Sequence, residues 1–217
     1  MAYKTENIIQ GAAELWLAAG GTALPALTAN APAKGTVSPA TGLDGSANWL
    51  GIGFTSEGVE VEYAPEYTDV EVDQLLDAAV IFKTKQTVTV NTTLAEATLE
   101  NLLYVWGLKA AALKTTGTVE GGTLATGEKE LGIDGGSLND FPNERSLAFV
   151  GSAPRATNNV VDKERLYMIR RVLQTESSTH GLKRSEATML PVSFRCLPDP
   201  SKTGAGYGFI RDRKITA

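Results

Sequence analysis

Residues 57–74 read EGVEVEYAPEYTDVEVDQ, and their apolar and charged side chains alternate with a period of two. Successive side chains of a β-strand face opposite ways, so Val59, Val61 and Tyr63 lie on one side of an extended chain. Glu60 and Glu62 lie on the other side. The stretch therefore predicts a β-strand with one apolar and one acidic face.

A turn is expected at residues 65–68, because PEYT interrupts the alternation with a proline and polar residues. Beyond it, Val70 and Val72 again alternate with carboxylates, and the two halves together predict a hairpin. Residues 57–77 contain eight carboxylates and neither lysine nor arginine. The carboxylates that alternate with apolar residues are Glu60, Glu62, Asp69, Glu71 and Asp73.

The alternation continues along the chain and indicates an antiparallel sheet. Residues 86–91 (QTVTVN) alternate valine with threonine and asparagine, which places Thr87 and Thr89 on the polar side of the next strand. Residues 11–17 (GAAELWL) fit either a short strand or a helix. Further strands are expected at residues 79–82, 146–150, 165–174 and 187–197.

One helix is predicted, and it begins after residues 93–96 (TLAE). This sequence has the form of a capping box, in which Thr93 and Glu96 each bond the backbone N–H of the other. Gly107 suits the end of the helix. Apolar side chains recur between these limits at helical spacing, and they are Leu99, Leu102, Leu103 and Trp106.

Two segments are predicted to be extended loops or arms. Residues 22–48 are rich in Ala, Thr, Gly and Pro, with Pro25, Pro32 and Pro39 spaced seven apart. Prolines keep a segment unpaired, and a loop of this length is usually functional. Residues 200–217 contain three glycines and a basic end, and they predict a C-terminal arm. Residues 115–144 predict hairpins and loops.

The composition indicates one globular domain over residues 1–217. With 42% hydrophobic residues, a chain of this length can bury a sizeable core. Its charge is asymmetric, since residues 1–150 carry 8 Lys and Arg against 19 Asp and Glu, while residues 151–217 carry 12 against 6. Either copies of the chain bind head to tail, acidic part to basic part, or the asymmetry cancels as the strands interleave.

The residues that catalysis or metal binding would require are scarce. His180 is the only histidine and lies in a polar loop, and Cys196 is the only cysteine and lies in an apolar strand pattern. Gly51 and Gly53 do not complete a dinucleotide-binding fingerprint. We expect no enzyme activity, cofactor, metal site or internal disulfide. Without an apolar run of spanning length or a signal sequence, we expect a soluble protein made in a cytoplasm.

The acidic hairpin permits three interpretations. It is a solvated sheet face, a divalent-cation site, or a surface that stays negative so that a polyanion passes without binding. Strands space carboxylates too widely to wrap one ion, which disfavours the second. The third follows from the principle that each Lys or Arg contact to phosphate strengthens nucleic-acid binding.

The order of four blocks is similar to that of the major tail tube proteins of long-tailed bacteriophages. The middle block, in which GVEVEY and DVEVDQ lead into LAEATLENLLYVWG, is the most specific. The four blocks are GAAELWLAAGGTALP (11–25), NWLGIGFTSEGVEVEYAPEYTDVEVDQ (48–74), KQTVTVNTTLAEATLENLLYVWGL (85–108) and a late strand pair that ends in TMLPVSFRCLPD (188–199). The resemblance spans residues 11–200 except for 115–144.

The resemblance implies a β-sandwich or rolled antiparallel sheet with one flanking helix. It implies hexameric rings that stack into a hollow tube around a tape-measure protein, closed by tail terminator and distal tail proteins and later crossed by double-stranded DNA. The tail is assembled in the host cytoplasm and is not a membrane component. The implied lumen residues are Glu60, Glu62, Asp69, Glu71, Asp73, Thr87 and Thr89. The implied contacts between subunits are Pro25, Pro32, Lys34, Pro39, Arg211, Arg213 and Lys214.

Two other classes remain open beside this one. A different virion β-protein, such as a tail terminator, a tail-completion protein or a decoration protein, would share the sandwich without forming a tube. A cation- or carbohydrate-binding β-sandwich module would bind a ligand that a tube subunit does not bind.

Overall fold

A computed structural model describes residues 4–23, 48–74, 76–135, 138, 140–155 and 163–214. The fold of these residues is mainly β with a single α-helix, as predicted. The strands are β1 (Glu14–Ala19), β2 (Leu50–Gly51), β3 (Thr55–Val70), β4 (Val80–Leu94), β5 (Leu113–Lys114), β6 (Thr118–Val119), β7 (Gly122–Thr123), β8 (Glu130–Leu131), β9 (Arg145–Ser152), β10 (Lys163–Gln174), β11 (Leu190–Leu197) and β12 (Gly208–Lys214). The helix is α1 (Leu99–Val105), and 3₁₀ turns lie at Thr5–Asn7 and Ala110–Ala112.

One antiparallel sheet contains the long strands in the order β2-β1-β9-β10-β11-β4-β3. Strand β10 has two partners along one of its edges: β12 pairs with residues 163–169 and β11 with residues 171–174. The sheet therefore divides at β10. The branch β11-β4-β3 continues past the end of β12, and side chains of β3 and β12 line one common cavity.

Apolar side chains fill both faces of the central strands. Leu15, Leu17 and Phe149 belong to the larger core, which also takes in β4, β11 and α1. Trp16 and Ala148, one position along, belong to a second core on the opposite face. Burial of each large side chain stabilises the fold by about 1.5–3 kcal/mol. Residues 11–17, for which the sequence left two possibilities, thus end in a strand buried on both sides.

Helix α1 is confirmed, but its predicted cap is wrong. Thr98 is the N-cap, and its hydroxyl accepts a hydrogen bond from the backbone N–H of Asn101. Thr93 still belongs to β4, and the Glu96 carboxylate accepts from the backbone N–H of Phe54 at 3.0 Å. Gly107 follows the helix with a φ of 65°, as its predicted role requires.

The predicted turn at residues 65–68 is wrong, because β3 is one strand of sixteen residues. Its hairpin partner is β4, which merges the two strands expected at 79–82 and 86–91, and residues 71–79 connect them. Pro65 is tolerated because β3 is an edge strand, where one side of the backbone needs no ladder bond. A register shift beside Glu66 gives β4 one extra residue, Thr84.

The predicted C-terminal arm is wrong over residues 208–214, which form β12. Gly208 has a φ of 144°, and a Cβ atom there would lie 1.8 Å from the carbonyl oxygen of Met168. Only glycine permits this approach to β10. At the other end of β12, the Arg213 guanidinium bonds the Glu164 carboxylate at 2.8 and 3.1 Å with both side chains nearly buried.

The short strands confirm the hairpins and loops predicted for residues 115–144, as far as these are described. Strand β6 pairs with β7, and β5 pairs with β8. Most of the arm predicted at residues 22–48 lies outside the described residues.

Candidate assembly surfaces

The β3–β4 hairpin changes character along its length. At its base, Val90 and Leu94 of β4 are fully buried in the larger core. Toward its tip, side chains on both faces of both strands are exposed, so the hairpin projects from the body of the fold. Apolar side chains of the tip, between 42% and 60% exposed, are Tyr67, Val70, Val80, Ile81 and Phe82.

Four of the predicted lumen residues share one face of this hairpin. Glu62 lies opposite Thr89, whose hydroxyl donates to the Glu62 carboxylate at 3.2 Å. Glu60 lies two residues from Glu62 on the same face, and Thr87 lies two residues from Thr89. The structure therefore brings Glu60, Glu62, Thr87 and Thr89 together.

The other three predicted lumen residues lie elsewhere. Asp69 pairs with Ile81, and its odd position in β3 places it on the opposite face from Glu60 and Glu62. Glu71 and Asp73 follow the end of β3 and lie in the loop at the hairpin tip. The acidic row in the sequence is therefore split between a sheet face and a loop.

Lysines of β4 interrupt the negative charge of β3. Lys85 forms an ion pair with Glu66 at 2.7 Å, and Lys83 donates to the Tyr63 hydroxyl at 2.7 Å and also contacts Gln86. The acidic window in the sequence contains no base, because these bases come from the partner strand. Only the register of the hairpin reveals them.

The polar face continues onto β11 through residues that the acidic motif did not identify. Ser193 donates to the Asn91 side-chain oxygen at 2.7 Å, and Asn91 is the partner of Glu60. Arg195 is the partner of Thr89. A signal was present in PVSFRC (191–196), where Ser193 and Arg195 alternate with apolar residues.

A groove of about 290 Å³ crosses this face and is lined by Glu57, Glu60 and Glu176 together with hydroxyl groups. The part of the chain that the structure describes holds no group of three or more His, Cys, Asp or Glu residues placed to bind an ion. The arrangement offers a negative, hydrated surface.

Three strands of the sheet have an unpaired edge within the described residues: β3, β12 and the two-residue strand β2. The edges of β3 and β12 are the long ones. An unpaired edge presents backbone N–H and C=O groups to a further strand. The β3 edge is acidic, whereas the exposed Arg211 and Lys214 make the β12 edge basic, with Asp212 held by Arg165 at 2.6 and 2.9 Å.

The predicted contact residues at the C-terminal end differ in their availability. Arg211 and Lys214 are exposed, and the Arg211 guanidinium lies 5.0 Å from the centre of the Phe209 ring. Arg213 is occupied within the chain by Glu164. Pro25, Pro32, Lys34 and Pro39 lie outside the described residues.

Cys196 and His180 both pack against apolar groups. Cys196 is 3% exposed, and burial raises the pKa of its thiol to about 12, so the nucleophilic thiolate is strongly disfavoured. The centre of the His180 ring lies 5.9 Å from that of the Trp106 ring.

Among the described residues, no helix is both long and apolar enough to cross a membrane.

Comparison with protein families gives one match, and it spans almost the whole chain. The family model described as "Phage tail tube protein" matches residues 1–212. No curated protein matches the sequence.

Proposed function

The chain belongs to the phage tail tube protein family, and on this premise we propose that its copies form hexameric rings that stack into the hollow tube of the virion tail. The tube encloses the tape-measure protein and later conducts the genome to the host. The observation that carries the proposal is a single sheet whose two long unpaired edges, β3 and β12, differ in charge, together with a projecting hairpin.

The two edges support contacts within a ring. An interface between the β3 edge of one copy and the β12 edge of the next is heterologous, because two different surfaces meet. When such a contact is repeated, the copies close into a ring if a whole number of the rotations between neighbours makes one full turn. Otherwise the copies continue as a helix. The acidic and basic edges attract, so that β3–β12 contact is favoured over contact between two β3 edges.

The lumen assignment rests on the face that carries Glu60, Glu62, Thr87 and Thr89. DNA binds surfaces that supply Lys or Arg to its phosphates, and carboxylates and hydroxyls supply neither positive charge nor counterion release. A tube lined by this face lets double-stranded DNA move without specific binding. Asp69, Glu71 and Asp73, at or near the hairpin tip, are assigned to contacts between copies instead.

Other partners follow from the position of a tube in the virion. Tail terminator and distal tail proteins bind its two ends, and assembly takes place in the cytoplasm of the bacterial host. Candidate contacts between rings are still Pro25, Pro32, Lys34 and Pro39, together with Arg211 and Lys214. Neither an enzyme activity nor a cofactor is part of this function.

Electron microscopy of the purified full-length chain tests the proposal, at rising protein concentration and with its tape-measure protein supplied. We expect hollow rods of uniform diameter, fewer and shorter in molar salt because charged contacts are screened. Single rings at every concentration would favour a terminator or completion protein, and monomers throughout would overturn self-assembly. Calorimetry with calcium and a glycan screen would detect a ligand-binding module.

A further inference from the structure

An apolar cavity of about 200 Å³ lies between the hairpin base and the C-terminal strand. Val61 and Val88 line it from the hairpin, Phe149 and Tyr167 from the central strands, and Phe209 and Ile210 from β12. Val61 is 43% exposed and Ile210 63% exposed, so the cavity opens to the surface. Dry apolar cavities of about 150 Å³ are known to bind benzene, so this one has room for an aromatic side chain.

The hairpin tip carries an apolar patch that the described residues leave about half exposed. Val70 pairs with Val80, and Thr68 pairs with Phe82, so that Val70, Val80 and Phe82 share one face. Phe82 is 57% exposed. Val88 follows Phe82 by six positions, which places the two residues about 20 Å apart along an extended strand. The Phe82 ring therefore does not reach the cavity of its own chain.

The charges beside the patch and beside the cavity are opposite in sign. The loop beyond the patch carries Glu71, Asp73 and Asp77. Beside the cavity, the Arg211 guanidinium lies 5.0 Å from the centre of the Phe209 ring, and the Arg170 guanidinium donates to the carbonyl oxygen of Ala205 at 3.3 Å. An acidic tip and a basic rim attract each other, and like tips repel.

We propose that the Val70–Val80–Phe82 patch of one copy docks into this cavity of a second copy, with Phe82 as the inserted side chain. The inference rests on the proposed self-assembly and names its contact. The patch and the cavity lie at different places on one chain. A pair of copies joined by one such contact therefore keeps one patch and one cavity unoccupied. The contact therefore propagates head to tail.

Two variants remove one half of the contact each. Phe82→Ala deletes the inserted ring, and Val61→Trp fills the cavity mouth. Phe141→Ala and Leu182→Trp are the matched controls, since both residues are 88% exposed and lie outside the patch and the cavity. Circular dichroism and the melting temperature establish that each variant folds.

Rod formation, followed by sedimentation and electron microscopy, gives the result. We expect loss of rods for Phe82→Ala and for Val61→Trp, and normal rods for both controls. A mixture of the two variants retains one intact patch and one intact cavity, so we expect it to yield dimers and no rods. If the wild type forms rods and both variants do so equally well, the docking is overturned while the tube function stands. If the wild type itself forms no rods, the result overturns the proposed tube function and says nothing specific about the docking contact.

A cross-link tests proximity directly. In a Cys196→Ser background, Phe82→Cys is mixed with Val61→Cys under oxidation, and Phe141→Cys replaces Phe82→Cys in the control. We expect a disulfide-linked dimer that requires both the Cys at 82 and the Cys at 61. Equal yields from the Phe141→Cys control mixture would overturn the contact.

Discussion

Strands β9 and β3 belong to one sheet, yet they differ in what they bury. The first six residues of β9 are buried, whereas none of the sixteen residues of β3 is. Strand β9 lies in the middle of the sheet with a core on each face, and β3 lies at its edge with one partner strand. The comparison indicates that stability resides in the centre of the sheet, while the hairpin leaves exposed the backbone edge and the apolar tip that the proposed assembly uses.

The largest effect is expected from one substitution made in both regions. Phe149 of β9 is 3% exposed and stacks on Tyr167, with ring centres 4.3 Å apart. Phe149→Ala should lower the free energy of unfolding by about 3–5 kcal/mol, through lost burial and a cavity. Phe82→Ala on the exposed tip should change it by less than about 0.5 kcal/mol. Denaturant unfolding of the two variants measures both values, and equal losses would contradict the division between the regions.

A buried ion pair sharpens the comparison at the other sheet edge. Removal of the Arg213 side chain leaves the Glu164 carboxylate buried, and loss of one partner of such a pair costs about 3 kcal/mol. Arg211, two residues away and exposed, forms no such pair with Glu164, so that Arg211→Ala should cost less than about 0.5 kcal/mol.

Thermal unfolding of Arg213→Ala and Arg211→Ala gives these costs, and hydrogen exchange of residues 208–214 shows whether β12 detaches. Matched unfolding of the two variants would mean that β12 is not held by the Glu164 contact.

The sequence predicted the centre of the sheet better than its edges, for physical reasons. Strands β9, β10 and β11 sit in apolar runs or alternations whose pattern is local. Strand β12 looks like a glycine-rich basic tail, because its pairing depends on Met168 and Glu164, more than forty residues earlier. Pro65 looked like a turn residue because the sequence alone did not show that β3 is an edge strand. Thr93 and Thr98 both precede a helical pattern, and tertiary packing decides which of them caps α1.

The assembly surfaces were predicted less completely than the fold. The acidic face was visible as alternation, and Glu60, Glu62, Thr87 and Thr89 do share it. Neutralisation by Lys85 depends on the register of the β3–β4 hairpin. Continuation through Asn91 and Ser193 depends on pairing between strands that are distant in sequence. The cavity beside β12 depends on how the sheet divides at β10, for which no local pattern exists.

A fall in pH should lower the free energy of unfolding of the sheet by less than the Phe149 and Arg213 substitutions do. The Arg171 guanidinium bonds the Glu144 carboxylate at 2.6 and 2.7 Å and holds the pKa of that carboxyl below its ordinary value of 4.5. Arg165 likewise lowers the pKa of Asp212 from 3.8. A lowered pKa in the folded state stabilises the fold above the ordinary value, and this stability is lost as the pH falls through the folded-state pKa.

Chemical unfolding between neutral pH and pH values below 3.8 measures this loss. In Glu144→Gln the part due to Glu144 should be absent. Glu71→Gln at the tip serves as its control, because Glu71 forms no ion pair with any residue that the structure describes. An unchanged pH profile in Glu144→Gln would mean that the ion pair with Arg171 does not contribute.

The smallest effect on stability should accompany a large effect on function. Glu60 and Glu62 are exposed, so that Glu60→Lys with Glu62→Lys should change the free energy of unfolding by less than about 0.5 kcal/mol. If this face lines the tube, the new lysines bind phosphates of the passing DNA, and virions with normal tails should eject their genome slowly. Glu71→Lys with Asp73→Lys carries the same charge change at the tip, where it should reduce the number of tails instead. Tail counts by microscopy and ejection rates therefore separate a surface that DNA passes from one that another subunit covers. Normal infectivity of the Glu60 and Glu62 variant would remove the lumen assignment, because two added lysines per subunit, beside the Lys85 and Arg195 that this face already carries, should add contacts to DNA phosphates.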